Sequence, residues 1–194
     1  MIYSSNRQLY IGFHGCEKAL AEQLITGRKE MEPSRNAYDW LGSGCYFWEN
    51  DPIRAFEFAR DIKKCKDPFV VGAILDLKYC LDLTCRKNLE LLDHSYENII
   101  KPILEAGKVT NNCAGKKSIT DDLLLRYLDC AVIEAIHEFN RENRFKEYDS
   151  VRAGFWEGKE LYETAGFREK NHIQLCVRNL DCILGLFVPK GFKL

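Results

Sequence analysis

The stretches that carry most of the information about this chain's architecture are Gly12-Phe13-His14-Gly15-Cys16 and Leu41-Gly42-Ser43-Gly44-Cys45-Tyr46-Phe47-Trp48. Each places a ring-bearing polar side chain beside glycine on a short apolar run, which predicts a strand whose backbone another group can approach closely. One amphipathic segment separates the two runs. Backbone amides and a side chain from both runs can therefore face the same ligand, and the pair predicts a nucleotide site.

The chain has 194 residues, 46% of them hydrophobic, which predicts a single domain over residues 1–194 with a two-layer core. Its 28 basic and 29 acidic residues give a net charge of −1, so no overall field favours nucleic acid or an anionic membrane. The odd number of cysteines, the absence of a signal-like start and the lack of a membrane-length apolar run predict a cytoplasmic protein without membrane contact.

Nine cysteines and four histidines are present, but their spacing does not suggest a structural metal. No Cys-x-x-Cys pair occurs, and the histidines stand apart at positions 14, 94, 137 and 172. We therefore expect no metal site, and we expect most cysteines to be small buried hydrophobic residues.

Hydrophobic periodicity predicts strands towards both ends of the chain and helices between them. Strands are expected at 8–13, 45–48, 69–77 with an extension towards 83, 150–156, 172–177 and 182–188. Helices are expected at 17–25, 52–64, 84–106 and 123–141, with Asp51 capping the second and Thr120, Asp121 or Asp122 capping the last. This order favours an α+β fold over a doubly wound sheet.

A family resemblance follows from His14-Gly15, the later Gly42-Ser43-Gly44-Cys45-Tyr46-Phe47 and the Ala55-containing helix after them. These residues resemble the NAD-binding half of ADP-ribosyltransferases of the diphtheria-toxin and poly(ADP-ribose) polymerase type. The resemblance is close over roughly the first 60 residues, and beyond them it covers only the order of the elements. It implies a split β-sandwich with surrounding helices, and NAD as a co-substrate held in a cleft without a metal.

The resemblance also implies roles for individual residues of the two motifs. His14 would bond the adenine ribose of NAD, and Gly15 would hold the nicotinamide amide through its backbone. Tyr46 would stack on the nicotinamide ring, with Gly42 and Gly44 forming part of the cradle. A second aromatic wall is expected on the following helix. There Phe58 or Phe56 must serve, because Glu57 occupies the aligned position.

The third signature residue of the family is a glutamate that stabilises positive charge on the ribose, and here the chain departs from the pattern. The residue at that place is Gln174, whose neutral amide accepts a hydrogen bond but offers less to a cation. Another acid would have to supply the charge, and the sequence offers Glu157 and Glu169. Of these we favour Glu157.

Two loops complete the expected site. Residues 158–170, with Tyr162, Phe167 and Arg168, lie where such enzymes present their acceptor, and residues 28–40 would close over NAD. Ordinary structural roles remain open for all of these positions. His14 and Tyr46 also suit a packed core, Gln174 suits the outward side of a strand, and Glu157 suits a surface.

The leading functional hypothesis is an NAD-dependent mono-ADP-ribosyltransferase acting on a macromolecule, either single-stranded nucleic acid or protein. Small members of the family resemble toxins of toxin–antitoxin or phage-defence systems, so an antitoxin or inhibitor protein is a possible partner by analogy. The alternatives are an NAD glycohydrolase, a catalytically silent module that binds NAD or ADP-ribose, and an RNA phosphotransferase of the same fold. The last would require paired basic residues in the cleft.

Overall fold

The computed structural model of the chain describes residues 8–114 and 122–194. Seven strands of this part of the chain form one sheet. Their bounds are β1 Leu9–Glu17, β2 Cys45–Glu49, β3 Pro68–Asp76, β4 Cys80–Asp82, β5 Ser150–Phe155, β6 His172–Val177 and β7 Ile183–Phe187.

The described residues also form five α-helices, α1 Lys18–Ile25, α2 Pro52–Glu57, α3 Arg86–Ser95, α4 Lys101–Glu105 and α5 Tyr127–Glu142. A π-helical segment, Phe58–Ile62, extends α2, and a second one, Tyr96–Ile100, joins α3 to α4. Pro102 has no backbone N–H for the carbonyl four residues earlier, so a regular α-helical ladder cannot continue through this join.

The strand order in the sheet is β4-β5-β6-β2-β1-β3-β7. The pair β4 and β5 is parallel, and all other neighbours are antiparallel. The helices do not alternate with parallel strands as a doubly wound sheet requires. The prediction of an α+β fold is therefore confirmed.

Side chains alternate between two buried faces of the sheet. On one face, α1 covers a cluster that contains Phe47. On the other face, α5 packs over β5 through Ile133 and Val151, while α2 packs over β2 through Ala55 and Trp48. Apart from His14, the candidate site lies on this second face, between the areas covered by α5 and α2.

Three predicted elements differ from the observed ones. The expected extension of the 69–77 strand towards 83 is instead a separate strand, β4, which lies at the opposite edge of the sheet beside β5. β1 continues to Glu17 instead of ending near Phe13, because β3 pairs with it along its whole length. α5 begins at Tyr127 instead of Leu123, and its Leu128 and Asp129 N–H groups donate to Oδ1 of the distant Asn112 instead of to a neighbouring cap residue. The carboxylate of Asp122 accepts hydrogen bonds from Gly158 N at 2.8 Å and from the Arg168 guanidinium at 3.3 Å, so it holds a distant loop. The other two expected caps, Thr120 and Asp121, lie outside the described residues.

The cysteines follow the prediction that most of them act as small hydrophobic residues. All nine are free thiols. The buried ones are Cys16, Cys45, Cys130, Cys176 and Cys182.

Candidate functional site

The sheet parts along the border between β1 and β2, where the two glycine-flanked motifs meet. Only Gly12 and Phe13 of β1 pair with β2, opposite Glu49 and Trp48. Beyond Phe13, β1 pairs only with β3, and the remaining residues of β2 pair only with β6. The side chain of His14 spans the resulting gap, with Nδ1 2.8 Å from the carbonyl oxygen of Tyr46.

His14 is held as a neutral imidazole in this gap. Its ring makes an edge contact with Phe47, at 5.9 Å between centroids. Burial, together with the nearby Lys63 ammonium, lowers the pKa of His14 to about 4, although the bond to Tyr46 acts in the opposite direction. A neutral His14 that donates from Nδ1 leaves Nε2 as an acceptor.

Gly15 sits where helix α2 crosses β1, and packing alone requires a glycine there. A Cβ atom on Gly15 would lie 1.9 Å from the carbonyl oxygen of Ala55 and 3.2 Å from the Cβ of Ala59. The carbonyl oxygen of Gly15 accepts a hydrogen bond from Lys63 Nζ at 3.3 Å. Lys63 also lies over the ring of Phe58, 5.5 Å from its centroid. A cation is thereby fixed beside both residues of the His14-Gly15 motif.

Tyr46 contacts the cluster under α5, and its hydroxyl is bonded within its own motif. The hydroxyl donates to the carbonyl of Gly42 and accepts from the Leu41 backbone N–H at 2.9 Å. Burial raises the pKa of Tyr46, so the phenol stays protonated. The ring of Tyr46 and the imidazole of His14 lie on opposite faces of the sheet, because Phe13, adjacent to His14, shares the Tyr46 face with Trp48.

The loop of Gly42 and Gly44 is fixed from several sides. Gly42 has φ +76°, and a Cβ on Gly44 would lie 2.4 Å from the sulfur of Cys176. The Ser43 peptide is clamped by an ion pair, since its N–H donates to Glu134 and its carbonyl accepts from Arg178 at 2.9 Å. The N–H of Gly44 donates to the protein backbone at 3.0 Å. The backbone N–H groups of this loop, which the sequence suggested as ligand-binding groups, thus already donate to protein atoms. Gly42 and Gly44 are required by the backbone conformation and the packing of the loop.

Gln174 lies on β6 directly opposite Trp48, on the same face of the sheet. It is buried, and its Oε1 has no hydrogen-bond partner among the described residues. Two residues earlier, His172 is also buried, and its Nδ1 lies 2.8 Å from the carbonyl of Lys170. Its Nε2 has no partner in the described part of the chain.

Glu157 lies just beyond β5 and is buried in an ion pair with Arg54 of α2. Arg54 Nη2 donates to both carboxylate oxygens, at 2.8 and 2.7 Å. The two side chains are 9% and 8% exposed. Glu157 Oε2 is also 4.0 Å from His172 Nδ1, so the acid lies beside the strand that carries Gln174. Glu169, the other candidate acid, is exposed.

We call the group formed by Trp48, Arg54, Glu157, His172 and Gln174 the polar chamber. The Arg54 guanidinium lies 5.8 Å from the Trp48 ring centroid, and the rings of Trp48 and His172 are 6.4 Å apart. Four buried polar atoms of the chamber have no partner among the described residues. They are Trp48 Nε1, Arg54 Nε, His172 Nε2 and Gln174 Oε1.

The remaining predicted residues lie around the chamber. Phe58 packs on Trp48 with ring centroids 4.9 Å apart, whereas Phe56 contacts Phe192. Of the two proposed aromatic walls, Phe58 is therefore the one beside the site. From loop 28–40, Trp40 packs on Phe155 at 4.7 Å. From loop 158–170, Tyr162 and Phe167 are exposed at the surface.

Sequence reasoning missed Trp48, Arg54, Lys63 and His172 as members of the site. Trp48 and His172 each follow the period-two alternation of a strand that carries a predicted residue, Tyr46 in one case and Gln174 in the other. That alternation was the available signal for both. Arg54 and Lys63 gave no such signal, since a single basic residue on a helix is ordinary.

Within residues 8–114 and 122–194, no group of three His, Cys, Asp or Glu side chains is arranged to hold a metal ion. In the same residues, no helix is long and apolar enough to cross a membrane.

The chain is similar to an uncharacterized protein of Methanocaldococcus jannaschii, which is 26% identical over an alignment of 194 positions that covers 88% of this chain and 83% of that protein. No family model matches the chain. No solved structure matches it either.

Proposed function

We propose that this protein binds NAD where β1 and β2 part, and that it transfers ADP-ribose from NAD to a macromolecule. The observation that carries the proposal is the gap itself. The sheet opens beyond Phe13, at the point where His14, Gly15 and Tyr46 meet. These are the residues by which the sequence resembles ADP-ribosyltransferases. A dinucleotide passing through the gap would reach His14 on one face and the polar chamber on the other.

The polar chamber suits the nicotinamide end of NAD. Trp48 Nε1 and Arg54 Nε are unpaired donors, while Gln174 Oε1 and His172 Nε2 can act as acceptors. A primary carboxamide offers one carbonyl and one NH₂ group, so it complements both kinds of atom. Trp48 and Phe58 add flat apolar surfaces for the ring.

Lys63 suits the pyrophosphate of the same ligand. It lies beside His14 and Gly15, and it forms no ion pair with any carboxylate among the described residues. The neutral His14 ring can exchange hydrogen bonds with a ribose hydroxyl, as the resemblance implies. Both groups therefore favour a nucleotide over an uncharged ligand.

The reaction would break the bond between C1′ of the ribose and the pyridinium nitrogen, with the electron pair leaving on neutral nicotinamide. An acceptor nucleophile would then bond to C1′ and lose its proton to solvent. Positive charge develops on the ribose, and a fixed carboxylate would stabilise it. Gln174 is neutral, and the Glu157 charge is already balanced by Arg54. We therefore expect slow transfer of single units instead of chain growth, with hydrolysis when water is the acceptor.

The same ion pair favours a second candidate function, a module that binds NAD or ADP-ribose without cleaving it. Glu157 is the buried acid of the polar chamber. If Arg54 keeps it neutralised during binding, no carboxylate remains to drive bond cleavage. The expected toxin role and its antitoxin partner follow only from the resemblance, and they apply to the transferase candidate.

Incubation with NAD labelled on its adenylate, together with total protein and RNA, separates these functions. Label on a macromolecule supports transfer, free labelled ADP-ribose supports hydrolysis, and bound but intact NAD supports the module. Absence of NAD binding by calorimetry would overturn all three. We expect His14→Ala and Tyr46→Ala to abolish nicotinamide release, whereas His94→Ala, on the exposed side of α3, should have no effect.

A gain-of-function variant tests the chemistry. Gln174→Glu places a carboxylate where the resemblance expects one, so it should raise the rate of nicotinamide release if the chamber is the reactive site. If neither the unmodified protein nor the variant releases nicotinamide although both bind NAD, the protein is assigned to the binding module.

A further inference from the structure

A groove beside the polar chamber shares only His172 with it. It opens where β5 ends and β6 begins, and its volume is about 540 Å³. The residues that shape it are Asp51, Phe155, Trp156, Phe167, Asn171 and His172. We call it the aromatic groove.

Two large aromatic side chains of the aromatic groove are exposed to solvent. Trp156 is 63% exposed and Phe167 is 62% exposed. Phe155, in contrast, is held in place, because it packs against Trp40 and carries the Arg126 guanidinium 5.0 Å from its ring centroid. Large aromatic side chains kept at a surface around a fixed ring are typical of an interaction site.

The charge of the groove is negative. No lysine or arginine lines it, and its two carboxylates are Glu49 and Asp51. Glu49 is neutralised by Arg152, whose Nε lies 2.7 Å away. Asp51 caps α2 by accepting from the Arg54 backbone N–H at 2.8 Å, and it has no ion-pair partner in the described part of the chain. Asp51 therefore contributes an uncompensated negative charge.

His172 contributes a neutral ring to the wall of the groove. Its Nδ1 donates to the Lys170 carbonyl, and its Nε2 is buried on the side of the polar chamber. Burial lowers the pKa of His172 and keeps the ring neutral. The groove thus combines carboxylate acceptors with aromatic faces. A phosphate-bearing chain needs positive charge, which these lining residues do not supply.

We propose that the aromatic groove binds a cationic side chain, above all an arginine guanidinium, on a partner protein. A guanidinium supplies only donors, carries a positive charge and stacks on aromatic rings, so it matches all three properties of the groove. The binding itself does not depend on the proposed function. Only the further role of the bound chain, as the acceptor of ADP-ribose, rests on it.

The test uses the full chain without NAD and a short peptide with three arginines separated by glycines. The matched probe is the same peptide with citrulline, which keeps the shape of arginine and removes its charge. We expect the arginine peptide to bind at low salt, with a change in Trp156 fluorescence, and the citrulline peptide to bind at least roughly tenfold more weakly. Isothermal titration gives both affinities.

Two variants locate the binding. Asp51→Asn removes the charge and preserves the helix cap, since asparagine is an equally good cap, and Trp156→Ala removes an exposed ring. Each should weaken the arginine peptide by roughly tenfold. The matched controls are Asp93→Asn and Tyr162→Ala, two exposed residues that do not line the groove, and both should bind like the unmodified protein.

Three results would overturn the proposal. They are equal binding of the arginine and citrulline peptides, no loss in the groove variants, and tighter binding of a ten-nucleotide oligothymidine that those variants weaken. Because no NAD is present, failure here leaves the nicotinamide-release assay untouched. Conversely, a protein that cleaves no NAD can still bind the peptide.

Discussion

The Arg54–Glu157 ion pair offers a quantitative test of how the polar chamber is held together. Arg54 Nη2 lies 2.7–2.8 Å from the two carboxylate oxygens, and the side chains are 9% and 8% exposed. With about 4 Å between charge centres and an effective dielectric constant of about 20, their attraction is about 4 kcal/mol. Removing one partner costs roughly 3–5 kcal/mol, because the other charge stays buried alone.

We therefore expect Glu157→Gln and Arg54→Met each to lower the free energy of unfolding by roughly 3–5 kcal/mol. The double variant should lose far less than the sum of the two, since it leaves no isolated buried charge. Urea unfolding followed by circular dichroism at pH 7 measures all three. For a chain of this size, each single variant should also lower Tm by about 10 °C.

An exposed ion pair supplies the control. Arg86 and Glu90 are 93% and 68% exposed, so Glu90→Gln should leave the unfolding midpoint unchanged. Strictly additive losses in the double variant would show that Arg54 and Glu157 do not stabilise each other. If Glu157→Gln and Arg54→Met lower the free energy of unfolding no more than Glu90→Gln does, the ion pair is exposed to water instead of buried.

Three further outcomes follow from individual contacts. Gly15→Ala should destabilise the fold by about 1–3 kcal/mol or more, because its Cβ would meet the Ala55 carbonyl, whereas Gly185→Ala, with open space around it, should be tolerated in the same unfolding assay. Tyr46→Phe should cost about 1–3 kcal/mol, since the Leu41 N–H and the Gly42 carbonyl lose their partner; an unchanged midpoint would contradict those bonds. Burial lowers the pKa of His137 to about 4. Between about pH 6.5 and about pH 4 the unfolded chain therefore binds a proton at His137 that the folded chain does not, and the free energy of unfolding declines as the pH falls through this window. His137→Phe should remove about 2 kcal/mol of the loss between pH 7 and pH 5, and an identical pH dependence in variant and unmodified protein would refute the assignment.

The sequence predicted the elements that depend on local pattern. β6 has the predicted bounds, and α2 begins at the predicted Pro52 with Asp51 as its cap. Both are marked by signals within a few residues, namely alternation in the strand and a cap followed by proline in the helix. The meeting of His14 and Tyr46 was also foreseeable, because two glycine-flanked strand motifs joined by one helix tend to lie side by side.

The rest of the site depends on contacts between distant parts of the chain. Arg54 and Glu157 are 103 residues apart, and neither residue carries a local sign that the other neutralises it. The division of His14 and Tyr46 between two faces of the sheet follows from the register of β1 on β2. A shift of β1 by one residue along β2 would place both side chains on the same face. Spacing in the sequence sets the distance between motifs, but not the register.

The polar chamber is too costly to exist for packing alone. A buried polar atom without a partner costs about 1–3 kcal/mol, so the four such atoms would together cost roughly 4–12 kcal/mol if nothing outside the chain paired with them. This is comparable to the whole stability of an ordinary domain, at about 5–15 kcal/mol. Apolar side chains at the positions of Arg54, His172 and Gln174 would avoid the cost. The chamber therefore keeps polar groups that the described part of the fold does not itself pair, which is typical of a functional site.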